Sequence, residues 1–254
     1  MKNIICLVQW VLLFIVGYGY MRYLRNIVIL VFMLAYCKYY DANGDSVSSV
    51  MHYADELVKL KDDTTAEELL GLMPYDRFLG NKKAPVIMIE YASFSCMHCA
   101  SFTLNVLPKI EDKYIKTGKL LYIYRSFPLD YVSLKAAMLG LCYDNNISFF
   151  TYSKAVFSSI ESLISSYKDL GLLSNIAKIS NIPDERFSRC INDESMMDYI
   201  IQSKLLASSK LQVTATPTFF INGKKYDKAH DFESFSRTID EVIIMNPNYS
   251  VKAQ

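Results

Sequence analysis

The 254-residue sequence has no excess of charge of either sign. Its 27 Lys and Arg face 26 Asp and Glu, for a formal net charge of +1. A nucleic-acid partner needs a basic surplus to neutralise phosphates, so none is expected. Internal repeats and low-complexity tracts are also missing, which excludes a solenoid or a polar disordered array. A second close cysteine pair is lacking as well. Cys142 and Cys190 stand alone, and His52 and His230 have no ligand spacing. A zinc ribbon needs such a pair, so no metal site is expected.

What is present is apolar. Hydrophobic residues make up 52% of the chain, with 19 Tyr and 14 Phe. That is enough for one sizeable domain, or a domain with a large insertion, around a real core. Of the six cysteines, Cys6 and Cys37 lie in the apolar N-terminus. The other four are an even number, which fits two disulfides in an oxidising compartment.

Two apolar runs open the chain. Ile4 to Met21 carries no charge and is just long enough to span a bilayer; Ile27 to Tyr36 is too short. Read from Met21, the basic stretch Met21–Asn26 followed by Ile27–Tyr36 has the pattern of a secretory signal peptide. We therefore expect residues 1–37 to be a signal or apolar segment, with translation starting at Met21. The alternative is a retained membrane anchor at Ile4–Met21.

The most informative short segment is Phe94-Ser95-Cys96-Met97-His98-Cys99-Ala100. It follows the apolar run Val86–Ala92, which reads as a buried strand, and precedes a helical stretch over Ser101–Lys116. Cys96 is thus expected at a helix N-terminus, where partial positive charge and unpaired N–H groups favour a thiolate. Cys99, one turn along, is the expected resolving thiol. His98, between them, can donate to the thiolate or support its charge. Pro108 is expected to kink the helix.

Further along, Leu120–Arg125 reads as a second strand, so strand, helix and strand make a parallel βαβ unit. Ser133 to Ser209 reads as helices. Thr216-Pro217 leads into two short runs joined by Asn222-Gly223, the strongest local hairpin signal. A helix over Asp231–Met245 closes the chain, with Asp231 as N-cap. Before the βαβ unit, Ser46–Met73 reads as an amphipathic helical segment. Thr64-Thr65-Ala66-Glu67-Glu68 offers a capping box for a helix over Ala66–Met73.

In this order the sequence resembles the DsbA-type disulfide oxidoreductases. The matching residues are Gly80–Pro85, Phe94–Cys99, Tyr124–Leu129 and Thr216–Gly223. The resemblance implies an α/β thioredoxin fold carrying an inserted helical domain. The domains would be a helical N-terminal extension at 46–79, a thioredoxin-like domain at 80–132 and 210–254, and the insertion at 133–209. Cys96 would be the attacking thiol. Pro217 would be a cis-proline facing the site, Thr216 and Pro217 would bind substrate backbone, and Glu90 would relay a proton for Cys99. Cys142 and Cys190, both in the insertion, are expected to form a structural disulfide; the alternative is two buried free thiols acting as small hydrophobes.

The implied activity is that of an exported, periplasmic enzyme introducing disulfides into secreted proteins through Cys96–Cys99. It would need no bound cofactor and would be reoxidised by a membrane partner. A disulfide isomerase or reductase of the same fold is the near alternative. Thr216 favours that reading, and Ser46–Met73 could be a dimer element. From another class, Cys96, Cys99 and His98 offer soft ligands for a Cu(I) metallochaperone.

Overall fold

The computed structural model of the protein describes residues 63–73 and 75–245. The segment 1–37, the start at Met21 and the helical reading before residue 63 lie outside the described residues. Among the described residues no helix is long and apolar enough to cross a membrane.

Strand β2 (Val86–Ala92) is buried along its whole length, and β3 (Leu120–Ser126) is buried up to its last residue. That pattern belongs to parallel strands covered on both faces. The two run parallel, Val86 opposite Leu120 and Ala92 opposite Ser126. Strands β4 (Thr218–Ile221) and β5 (Lys224–Tyr226) form the expected hairpin. Both turn residues take positive φ, 44° at Asn222 and 77° at Gly223, the conformation for which an Asn-Gly pair is suited. The Asn222 side chain then fastens the hairpin to the start of β2, accepting from the Ile87 N–H at 2.7 Å and donating to the Pro85 carbonyl at 3.2 Å.

Among the described residues the sheet has five strands, in the order β1 (Arg77–Leu79), β3, β2, β4, β5. Its edge strand β1 pairs antiparallel with β3. This corrects the expected helical extension over 46–79: its last residues join the sheet. Three residues show no period of their own, and the strand exists because β3 offers a free edge. The Thr65 capping box does form, but it starts a shorter helix than expected, α1 (Ala66–Leu69).

After β2 one long helix, α2, runs over 97–115. Pro108 does not end it. The chain passes the proline with a π-turn on each side, at Phe102–Val106 and Glu111–Ile115. Leu104, whose carbonyl an ordinary turn would press against the proline ring, lies in the first of these wider turns.

Between β3 and β4 the chain is helical: α3 (Tyr131–Leu141), α4 (Asn146–Ser158), α5 (Ile160–Ser165), α6 (Gly171–Ile179), α7 (Asp184–Ile191) and α8 (Glu194–Leu211). Gly140 permits close packing of α3 on α4, since a Cβ there would meet Phe149 Cε2 at 2.9 Å. Cys142 and Cys190 are disulfide-bonded, with Cα atoms 6.2 Å apart, and tie the end of α3 to α7. Closing a loop with sequence separation 48 restricts the unfolded chain by roughly 4 kcal/mol in the chain-entropy account. Helix α9 (Phe232–Met245) returns to the sheet with Asp231 accepting from the Ser234 N–H at 2.7 Å.

The two faces of the sheet differ. One buries aliphatic side chains such as Ile87, Ile89, Leu121 and Ile123 against Leu206 and Leu211 of α8. The other is aromatic, with Phe94 packed on Tyr124, Tyr152 and Phe157 at centroid distances of 5.6, 5.6 and 5.1 Å.

A charged pair is built into this frame. Arg125 on β3 meets Asp76 in a two-point bond, Nε to Oδ1 at 2.7 Å and Nη2 to Oδ2 at 2.6 Å. The pair is almost fully buried, with side-chain exposures of 4% and 3%. Arg125 also donates to the Leu69 carbonyl, the Gly71 carbonyl at 2.6 Å and the Tyr91 hydroxyl at 3.1 Å. All five guanidinium donors are thus used, and the segment carrying α1 is pinned to the sheet. Asp76→Ala strands the guanidinium in the interior, and we expect a loss of about 3–5 kcal/mol in urea unfolding. A loss below roughly 1 kcal/mol, the level of an exposed pair, would show that the pin is unimportant.

Candidate active site

The end of β2 turns sharply into α2. The Cys96 N–H donates to the Ser93 carbonyl at 3.1 Å and closes the turn. Cys96 then caps the helix, with extended backbone angles of φ −97° and ψ 115° and its sulfur accepting from the Cys99 N–H at 3.4 Å. A sulfur stands where a serine or aspartate oxygen usually accepts such a bond. This local chemistry, strand end followed by cap, places Cys96 at the helix start.

The loop before β4 closes the site from the other side. The Thr216–Pro217 peptide bond is cis. The Thr216 carbonyl faces Cys96 and accepts from its thiol at 3.3 Å. That bond belongs to the thiol, and ionisation ends it. Among the described residues the Thr216 hydroxyl is buried without a partner of ordinary hydrogen-bond geometry, and it acts on Cys96, where it favours the thiolate.

The two cysteines of the pair diverge chemically. Cys96 is 8% exposed and Cys99 is fully buried. The Cys99 thiol, donating to Cys96, does most to lower the Cys96 pKa. Burial opposes it, and the Thr216 hydroxyl and the backbone N–H groups of Cys99 and His98 add to the lowering; the result is about 5. Cys99 moves the other way, raised by its burial, by its bond to Cys96 and by the nearby carboxylate of Glu90.

Glu90 lies on β2 and is fully buried. Burial pushes its carboxyl up to about 8; a hydrogen bond from the Tyr122 hydroxyl works against that, and the Cys96 charge adds to it. His98 sits differently from expectation. Its side chain is exposed, and among the described residues no hydrogen bond joins its imidazole to Cys96. The backbone N–H of His98 is what favours the thiolate. Nor do Cys96, Cys99 and His98 make a ligand set: among the described residues no group of three or more His, Cys, Asp or Glu could hold a metal ion. Cys142 and Cys190, bonded to each other, stand apart from this chemistry in the helical insertion.

The structure thus brings together Cys96, Cys99, Glu90, Thr216 and Pro217. Sequence reasoning missed Tyr122. Its signal was the two-residue alternation of β3, which puts positions 122 and 124 on the face that carries Glu90.

The chain is similar to known proteins in sequence and in fold. The sequence profile of the Thioredoxin family matches residues 73–241. A Rickettsia prowazekii protein named as a protein-disulfide oxidoreductase is 30% identical over 168 residues, covering 66% of this chain; the chain spans 61% of that relative's length. The crystal structure of Wolbachia pipientis alpha-DsbA1 superposes with a TM-score of 0.68 at 47% identity, covering 71% of this chain and 97% of that one. Oxidised BdbD of Bacillus subtilis shares the fold at 22% identity, with a TM-score of 0.59 over 68% of this chain and 96% of that one.

Alkylation of the reduced full chain, followed at Cys96 by peptide mass mapping, should show a rate midpoint near pH 5. A midpoint near the ordinary thiol value of about 8.5 would overturn the site. The same shift has a thermodynamic sign. Between about 5 and the ordinary 9.0, the unfolded chain holds a proton that folded Cys96 has released. The reduced protein should therefore gain stability over the oxidised protein as pH rises through that window, and lose it as pH falls toward 5.

Proposed function

We propose a role for this protein on one premise: the chain belongs to the thioredoxin family, in its DsbA-type branch. It is a thiol–disulfide oxidoreductase that passes a Cys96–Cys99 disulfide to cysteine pairs of secreted proteins. The observation that carries this reading is the split between the two sulfurs, one easily ionised and near the surface, the other protonated and buried.

A substrate thiolate attacks Cys96 Sγ, and the Cys96–Cys99 bond breaks. Cys99 leaves with the electron pair and takes a proton from the Glu90 carboxyl. A second substrate thiolate attacks the substrate sulfur of the mixed disulfide, and Cys96 leaves as a thiolate. The substrate dithiol is oxidised, and the protein is reduced by the same two electrons. Because the departing Cys96 thiolate is stabilised, the reduced protein is favoured and the disulfide is a strong oxidant. DsbA is itself the type case of a low thiolate pKa making a strong oxidant, so this direction is a property of the branch.

The loop at Thr216–Pro217 supports docking of an extended substrate segment beside Cys96, with backbone groups giving affinity. The signal-like stretch Met21–Tyr36 and the Cys142–Cys190 bridge support an exported, oxidising location. There a membrane partner that accepts two electrons from the dithiol would restore the Cys96–Cys99 disulfide. Thr216, beside the attacking sulfur, favours disulfide isomerisation as the second reading.

Oxidised full-length protein mixed with a dithiol peptide and, separately, reduced full-length protein mixed with a scrambled-disulfide substrate distinguish the two. We expect near-stoichiometric oxidation of the peptide, its loss in Cys96→Ser, and, with the scrambled-disulfide substrate, a mixed disulfide trapped at Cys96 in Cys99→Ser. Rapid unscrambling with little peptide oxidation would replace the oxidase by an isomerase.

A further inference from the structure

We propose that Tyr122 is a positioning residue for the redox step: by binding Glu90 Oε2 it fixes the carboxyl and leaves Oε1 as the oxygen that exchanges a proton with Cys99. This deepens the proposed function and rests on the proton relay described there.

The geometry comes from the strand register. Glu90 on β2 lies opposite Tyr124 on β3, and Tyr122 is opposite Met88. Tyr122 is therefore the diagonal neighbour of Glu90 on one face, a separation that a tyrosine ring spans. Its ring is fully buried, and lies 6.1 Å from Phe102 on α2 and 5.9 Å from Phe150 on α4 between centroids. With the ring held, the hydroxyl has one place to go. It donates to Glu90 Oε2.

The other carboxyl oxygen is the unusual one. Glu90 Oε1 is buried and has no hydrogen-bond partner. Native interiors rarely leave such an atom open, and an exception asks for a reason. Among the described residues the Tyr124 hydroxyl has no partner of ordinary hydrogen-bond geometry and does not close the gap. Proton exchange with the buried thiol supplies a reason, since an oxygen already bonded to a fixed donor is a poor acceptor for a second proton.

The groups that bear on Glu90 can be named element by element. Helix α2 presents Cys96 and Cys99; β3 presents Tyr122 and Tyr124; α4 presents Tyr152 behind Tyr124. Strand β4 places only Phe219 opposite Glu90. Removing the Tyr122 hydroxyl takes away a donor to the carboxylate and makes Glu90 hold its proton more tightly. The two directions of the redox step then respond oppositely. When Cys99 attacks a mixed disulfide at Cys96, its proton must pass to the Glu90 carboxylate, and this becomes harder. When Cys99 leaves as a thiolate, protonated Glu90 donates to it, and this does not suffer.

The test compares full-length wild type, Tyr122→Phe and Glu90→Gln. The reduced protein is glutathionylated at Cys96, and release of glutathione by Cys99 is followed from pH 6 to 10 by acid quench and mass spectrometry. The reverse step, reduction of the Cys96–Cys99 disulfide by glutathione, is timed in the same buffers. In Tyr122→Phe we expect the release profile to move up by about one pH unit, making release roughly ten-fold slower at pH 7, since one unit is a factor of ten in the carboxylate population. Reduction of the disulfide should be undiminished. Glu90→Gln should lose the carboxylate-dependent limb altogether. If Tyr122→Phe matches wild type while Glu90→Gln loses the limb, the relay stands and the role assigned to Tyr122 falls. Equal slowing in both directions at every pH also overturns it, because that is the mark of damaged packing. If Glu90→Gln keeps the limb, the relay itself fails, and the positioning role with it.

Discussion

The site is built on a capping position, where the backbone N–H of Cys99 is directed at the sulfur of Cys96. Every other feature of the centre is arranged around that sulfur. Strand β2 delivers it, the turn at Ser93 aims it, and the carbonyl before Pro217 closes over it. A helix start offers N–H groups that no intrahelical acceptor can use. Two of them, from His98 and Cys99, serve a group that gains most from them when charged. The same turn of helix that exposes Cys96 carries Cys99 inward, so a three-residue spacing produces two thiols of opposite character.

Much of this was legible in the sequence because it is local. A strand followed at once by a cysteine pair specifies a capped helix. Asn222-Gly223 specifies a tight turn, and Asp231 before an amphipathic run specifies a helix start. What was not legible depends on partners distant in sequence. Strand β1 is three residues that are extended only because β3 lies beside them. Pro108 signals a kink, whereas the helix absorbs it by widening on both sides. His98 draws the eye to its imidazole, while its backbone N–H acts on the sulfur, since residues next to a cap contribute N–H groups whatever their side chains are. The pairing of Tyr122 with Glu90 spans 32 residues, and that of Arg125 with Asp76 spans 49. Neither can be seen until the register of β2 on β3 is known.

The insertion does more than lengthen the chain. Its helix α4 supplies Tyr152, Phe149, Phe150 and Phe157, which cover the aromatic face of the sheet next to the site. The Cys142–Cys190 bond and the reach of Arg186 to the Cys142 carbonyl at 2.5 Å hold the end of α3 in place. Excluding water there is what makes Glu90 a weak acid. The helical cover therefore enters the chemistry by setting the surroundings of a carboxyl that it does not touch through any hydrogen bond.

Two buried ionisable side chains on neighbouring strands, Arg125 and Glu90, are satisfied very differently. Arg125 uses all five donors and is matched by a carboxylate, so its charge is permanent and its environment complete. Glu90, on the adjoining strand, has one hydroxyl and nothing more. A second donor would have stabilised the ionised carboxylate and returned it toward an ordinary acid. With a single donor the group stays close to balance, with its pKa pushed up to about 8. Incomplete satisfaction costs stability wherever it occurs. Here it falls near the buried thiol of Cys99, which loses and regains a proton in the redox cycle proposed above, and there an unfinished hydrogen-bond shell has a use.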